Sequence, residues 1–376
     1  MFIVLFYRFT SLVASKEVQV SSFNMDFMEV FDNACSHIQL DYIDREFINN
    51  GFVNIKADYG KRVRQLGEVG CNNHAVIDSA DVDSVDFVDV VSADIDSIGG
   101  NLLKQFENLM IQFVEEELTL SHCKFITPAV AKQIANQESE DTAPSFLKAS
   151  YKETDDYCYL KIPTMTIPLF SWDYLSSILE KLVDDKRVLI LDLRLNTGGS
   201  ASATGELLTP FIGMDKPFLI TRLADWENSS CESIYPFPDG DNHGNCLDVE
   251  AIGTHPFAQW LTLKELSFSL KQKPVLLIGE RCYSCGEVFA QAMKEYNSAV
   301  IIGKTTAGAV VGAKDTYDCG YGYSLMLPFV DMVSKNEFMI EGKGVTPHIK
   351  RTFSTSDMEE LSKAEIMDVV SVLRKY

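Results

Sequence analysis

No apolar run in these 376 residues reaches the roughly 18 uninterrupted positions that a membrane-crossing helix needs, so no span is expected. Basic residues are scarce: 33 Lys and Arg stand against 54 Asp and Glu, a net charge of −21 and a pI near 4.7. A chain without a basic footprint is a poor partner for nucleic acid or an anionic membrane surface, because both bind through phosphate. Neither Gly-x-x-x-x-Gly-Lys-Ser/Thr nor Gly-x-Gly-x-x-Gly occurs, which removes the common nucleotide-binding loops. The nine cysteines are odd in number and irregularly spaced. They do not form a disulfide framework, and they favour a reducing compartment such as the cytoplasm. Cys282-x-x-Cys285 has no second pair to complete a structural zinc site. No metal and no cofactor are expected.

What is present is enough apolar sequence, 46% of the chain, for a large core. The first residues, Met1 to Val18, carry a short apolar run broken by Arg8 and lack a basic start, so they read either as a degenerate signal peptide or as a packing segment. Phe27, Val30, Phe31, Ala34, Ile38 and Tyr42 have helical spacing, with His37 among them and unassigned. Residues 77–98 intersperse aspartates with valines without the glycine and closing glutamate of a calcium loop, and read as an acidic connector or irregular strand. Leu102 to Leu118 carries a 3.6-period apolar stripe and predicts a helix. His122 follows it, at the junction with an extended segment, a place from which a histidine is available for chemistry.

Residues 129–156 are polar and mixed and read as a connector, separating an N-terminal helical part (1–128) from an α/β core (157–376). The core opens with a strand at Tyr157 to Ile162, a helix from Trp172 to Val183 and a nearly continuous apolar strand from Arg187 to Leu193, a βαβ unit of parallel-sheet character. The strand runs into a glycine turn, Arg194 to Ser200, and an apolar segment, Leu207 to Ile212. Residues 224–260, with Trp226 and His243, read as an insertion over the sheet. A strand follows from Tyr321, a turn at Phe338 to His348 containing Glu341, and a closing helix over 356–376 whose start has capping-box spacing, Ser356 and Glu359.

The most informative stretch is Pro274 to Gly312. It predicts a strand (Val275 to Ile278), a tight turn, a helix with apolar residues at Val288, Phe289, Ala292 and Met293, and a second strand from Ala299 to Ile302. Ser284 falls between strand and helix, at the carboxyl edge of the sheet where α/β folds place ligands. Two readings are open: a helix cap, since Glu287 stands three residues on, or a nucleophile. The Gly198-Gly199 turn is likewise either an ordinary turn or a set of exposed amides for an oxyanion. Cys282 and Cys285 bracket the serine, as buried small side chains or as a redox pair.

Four motifs in order resemble the tail-specific and tricorn-type serine peptidases: Asp192-Leu-Arg-Leu-Asn-Thr-Gly-Gly199, Tyr283-Ser-Cys-Gly-Glu-Val-Phe-Ala290, Gly303-Lys-Thr-Thr-Ala-Gly308 and Gly344-Val-Thr-Pro347. The resemblance covers about Leu102 to Ile349. It implies a crotonase-like, Clp-protease-like α/β core of βαβ units with an N-terminal helical subdomain. It also implies a serine endopeptidase working through an acyl-enzyme on peptides or unfolded segments. One branch of that family uses a lysine base on the loop after the second strand, where this chain has Ala309. The tricorn-type branch uses a Ser-His pair and a glutamate, and the matching positions hold Ser121, His122 and Glu341. The resemblance therefore implies Ser284 as nucleophile and His122 as general base, with Ser121 and Glu341 orienting or polarising the histidine.

The chemistry is consistent with those roles. A serine hydroxyl needs an adjacent base that later protonates the leaving amine, and a third group to orient that base. The N–H of Gly198 or Gly199, with that of Cys285, would supply an oxyanion hole, removal of one such donor typically costing roughly 3 kcal/mol. Departures from the family are His348, where aspartate is usual, and the lack of room for a PDZ-like domain between His122 and Tyr159. The alternative function is a catalytically silent protein on the same fold, holding an apolar ligand or peptide. A crotonase-type acyl-CoA enzyme is disfavoured because that chemistry has no use for this serine-histidine set.

Overall fold

The computed structural model describes residues 25–42, 44–78, 85–135, 145–166, 169–223, 247–252, 255–313, 316–356 and 359–373. The sequence readings of Met1 to Val18, Trp226 and His243 lie outside these residues. The chain divides into two compact units, one containing Ile134–Gly312 and Val330–Tyr376, the other Thr10–Gln133 and Ala313–Phe329.

The helical unit contains helices Phe27–Asp41, Arg45–Asn50, Phe52–Asp78, Val85–Glu115 and Pro128–Ala135. Asp26 caps the first, accepting the N–H of Met28 at 2.8 Å and of Glu29 at 3.3 Å. The spacing that predicts this helix places Val30, Phe31, Ala34 and Ile38 on one buried face. Opposite them stand Phe106, Met110 and Phe113 of the long helix, with the Phe27 and Phe106 rings stacked at 4.6 Å. A three-stranded antiparallel sheet, Lys124–Ile126, Tyr323–Met326 and Tyr317–Gly320 in spatial order, completes the unit.

Two boundaries therefore differ from the sequence reading. The hairpin 317–326 joins the helices because Cys319, Tyr323 and Leu325 contribute to the helical core, and Asn33 Nδ2 donates to Cys319 O at 3.2 Å. Within the 129–156 connector of the sequence reading, Ser150–Glu153 is a strand that pairs with Tyr157–Lys161 at the edge of the core sheet. Residues 85–98, part of the stretch 77–98 read as an acidic connector or irregular strand, belong to the helix Val85–Glu115.

The α/β unit is built on a six-stranded sheet in the order Ile349–Lys350, Val300–Gly303, Val275–Ile278, Val188–Asp192, Tyr157–Lys161, Ser150–Glu153. All neighbours are parallel except the last pair. Val275 to Ile278 are buried throughout, as a strand covered on both faces must be. A second sheet orders Val311–Ala313, Pro328–Ser334, Pro217–Leu223, His255–Leu261 and Leu247–Ile252. Within the 224–260 insertion of the sequence reading, 247–252 and 255–260 are thus strand residues, paired antiparallel through Val249 and Ala258. The apolar segment 207–212 is the end of helix Ala201–Ile212, which Ser200 caps.

The closing helix runs Lys363–Leu373, later than the capping box at Ser356 would place it. The working box is Ser362 and Glu365: Ser362 Oγ accepts the Glu365 N–H at 3.3 Å and a Glu365 carboxylate oxygen accepts the Ser362 N–H at 3.2 Å. Both serines have Ser-x-x-Glu spacing, and Glu365 prevails because it also gathers Ser354 and Thr355.

Candidate active site

Strands Val188–Asp192 and Val275–Ile278 are parallel neighbours, so the turns that follow them leave the same edge of the sheet. The first turn is pinned at its base. Arg194, 1% exposed, forms a forked pair with Asp192, Nε to Oδ1 at 3.0 Å and Nη2 to Oδ2 at 2.9 Å. Tyr159 donates its hydroxyl to the same carboxylate. The guanidinium also reaches the carbonyls of Thr355 at 3.2 Å and Glu359 at 3.0 Å.

Asn196 then joins this turn to the next. Its backbone carbonyl accepts the Tyr283 N–H at 2.8 Å, and its Oδ1 accepts the Gly198 N–H at 2.9 Å. Gly198, with φ 77°, lies so close that a Cβ there would stand 2.6 Å from the Cβ of Ser284. Gly199 is packed against the Met165 backbone, where a Cβ would meet an atom at 2.2 Å. The amide of Gly198 is thus taken up by Asn196. Among the described residues, no hydrogen bond takes up the amide of Gly199.

Ser284 opens the helix Cys285–Glu295 at φ 51° and ψ −124°, a combination that costs an L-residue on the order of 1–3 kcal/mol. Ser284 is arranged with Glu287 as a capping box, its side chain toward the Glu287 N–H but without a hydrogen bond of normal geometry. Its backbone is held instead: the Ser284 N–H donates to Ala309 O at 3.0 Å and to Glu287 Oε2 at 3.2 Å. Cys285 follows, its thiol donating to Gly199 O at 3.2 Å. Cys282 and Cys285 are both buried and not joined in a disulfide.

Glu287, read from sequence only as a capping partner, does more. It is 0% exposed and accepts four hydrogen bonds: the Thr306 hydroxyl, Gly308 N–H at 2.7 Å, Ala309 N–H at 2.8 Å and Ser284 N–H at 3.2 Å. Burial raises its carboxyl above the usual carboxylate range, against the pull of those donors. The loop it holds meets Glu341 on its far side, where Glu341 Oε2 accepts the Val310 N–H at 2.6 Å. The glutamate-to-loop contact has no local sequence signal, since about twenty residues separate the partners. His348, the departure from the family signature, still serves as an acceptor: its Nδ1 takes the Ile301 N–H at 3.0 Å. Burial, with Lys294 second, lowers its imidazole.

Ser121 and His122 belong to the helical unit. They lie between helix Val85–Glu115 and strand Lys124–Ile126, with Ser121 Oγ 2.7 Å from His122 Nδ1 and His122 at φ 65°. Burial, then the charge of Lys124, pushes the imidazole down to about 4, although part of its surface remains open. The ring is therefore neutral at pH 7 and able to accept a proton. Among the described residues no cluster of three or more His, Cys, Asp or Glu side chains could hold a metal, and no helix is long and apolar enough to cross a membrane.

A family model described as Peptidase family S41 matches residues 156–351. A Chlamydia muridarum protein described as uncharacterized is 28% identical over 162 residues, 42% of this chain and 24% of that one. A probable CtpA-like serine protease of Staphylococcus saprophyticus is 26% identical over 175 residues, 46% of this chain and 30% of that one. The matched regions thus span less than a third of these relatives. Among solved structures, a putative peptidase from Parabacteroides merdae has a TM-score of 0.57, with 11% identity, covering 92% of this chain and 97% of that one. The photosystem II D1 C-terminal processing protease has a TM-score of 0.51, with 10% identity, covering 87% and 93%. At such identities the likeness shows the fold. The family model spans more than half of the chain and takes in both glycine turns and Glu341, and on that ground the protein belongs to Peptidase family S41.

Proposed function

We propose that this chain is a serine endopeptidase acting on peptides or unfolded protein segments, with Ser284 as nucleophile and His122 as general base. The observation that carries the reading is the backbone of Ser284: a strained, positive-φ conformation at a strand-to-helix turn, with no hydrogen bond of normal geometry tying its hydroxyl to the helix. With its proton on Nδ1 donated to Ser121 Oγ, His122 presents an unprotonated Nε2. Ser284 Oγ attacks the carbonyl carbon as its proton passes to Nε2. The tetrahedral oxyanion collapses with loss of the amine, which takes that proton, and water repeats the sequence to release the acid. The amides of Gly199 and Cys285 are the oxyanion donors in this scheme, Gly198 being committed elsewhere. Glu341 supports the histidine, as the resemblance implies.

Hydrolysis of casein and labelling by a fluorophosphonate test this directly. Wild type should cleave and label, and Ser284→Ala should do neither, a loss of at least about a thousandfold given the effect of removing a nucleophile. A wild-type protein that neither labels nor cleaves, yet binds an apolar ligand tightly, would instead be a silent binding protein.

A further inference from the structure

Helix capping alone does not account for Glu287. A cap needs one carboxylate oxygen near one amide, and the Glu287–Ser284 contact, at 3.2 Å, is the longest of its measured bonds. The shorter ones go to the 306–310 loop. All four partners donate, and three of them are backbone N–H groups that can only donate, one on Oε1 and two on Oε2. Only a group that accepts on both oxygens fits the site.

The loop so gathered has its own task. The carbonyl of Ala309 accepts the Ser284 N–H at 3.0 Å, and the N–H of the same peptide group, that of Val310, donates to Glu341 Oε2 at 2.6 Å. A single rigid peptide thus stands between the nucleophile's backbone and the second carboxylate. Its opposite flank is closed by Gly342 N–H to Gly308 O at 2.8 Å. There is little room for slack, since a Cβ on Gly308 would lie 2.9 Å from Gly344 N.

We infer that Glu287 is a positioning residue for the peptidase reaction: its carboxylate fixes the Ala309–Val310 peptide as a strut that holds Ser284 in its attacking conformation and sets the spacing from Ser284 to Glu341. The inference rests on the peptidase reading, with Ser284 as nucleophile. Glu287 touches no substrate and acts through the loop. Its work is to offset the backbone strain at Ser284, which a free loop would let relax toward an ordinary cap.

The discriminating variant is Glu287→Gln, which keeps size and shape and turns one acceptor into a donor facing a donor. Labelling of Ser284 by a fluorophosphonate should slow at least thirtyfold, and kcat on a fluorogenic peptide should fall alongside it. KM should stay within threefold and the fold should persist by circular dichroism. The exposed variant Lys271→Ala is the control. A folded Glu287→Gln protein that labels at the wild-type rate overturns the inference, as does a loss confined to KM. If Glu287→Gln does not fold, Thr306→Val decides, since it removes one of the four donors to Glu287 together with the acceptor of the Val345 N–H: labelling about tenfold slower supports the strut, and an unchanged rate overturns it. Failure of both variants to fold also overturns it, leaving a purely structural carboxylate. Wild-type protein that does not label refutes the peptidase reading itself, a result distinct from all of these.

Discussion

Asp192 and Glu287 are both buried carboxylates at the base of a glycine turn, and they are satisfied by opposite means. Asp192 faces the Arg194 guanidinium, whereas Glu287 faces four neutral donors. The cation-paired carboxylate ties a turn to distant chain, since Arg194 goes on to Thr355 and Glu359. The neutral-donor carboxylate gathers backbone amides around Ser284. The second arrangement leaves burial uncompensated by opposite charge, which is why the Glu287 carboxyl is raised. One site is built for anchorage and the other for geometry.

The comparison breaks first at Asp192. Asp192→Asn strands the Arg194 guanidinium, so urea unfolding should show a loss of roughly 3–5 kcal/mol in stability, the cost of removing one partner from a buried pair. A loss below about 1 kcal/mol would mean the pair is not the anchor of the turn. A far smaller effect should come from the end of the segment that Arg194 holds. Ser362→Ala removes the helix cap and should cost about 1 kcal/mol by the same measurement, with no change in fluorophosphonate labelling. A fall in labelling there would show that anchorage and geometry are not separate functions.

Much of the core was legible because its strands are continuous apolar runs. Val275 to Ile278 and Leu189 to Leu191 fit only a parallel sheet covered on both faces, and the turn residues between elements fixed where the site lies. Short ambiguous signals were not legible. Aspartates spaced through 85–98 concealed a helix that continues into the Leu102 stripe, and two Ser-x-x-Glu boxes six residues apart could not be ranked before Glu365 was seen to collect Ser354 and Thr355. The Gly198 amide looked available because its acceptor, Asn196 Oδ1, depends on how the turn closes. Glu287 was the largest omission, since its role is defined by residues 306–309, which only the fold brings to it.

The central claim is a serine activated by a neutral histidine, and the pH dependence of Ser284 labelling tests it most directly. A histidine whose folded pKa lies near 4 is a competent base above that value and is lost as base by protonation below it. The fluorophosphonate rate, followed from pH 3 to 8 with the adduct located by peptide mass mapping, should therefore rise through about pH 4 and stay level to neutrality, with the label on Ser284. A limb near the ordinary histidine value of about 6.5, a label on another residue, or an unchanged profile in His122→Ala would contradict it.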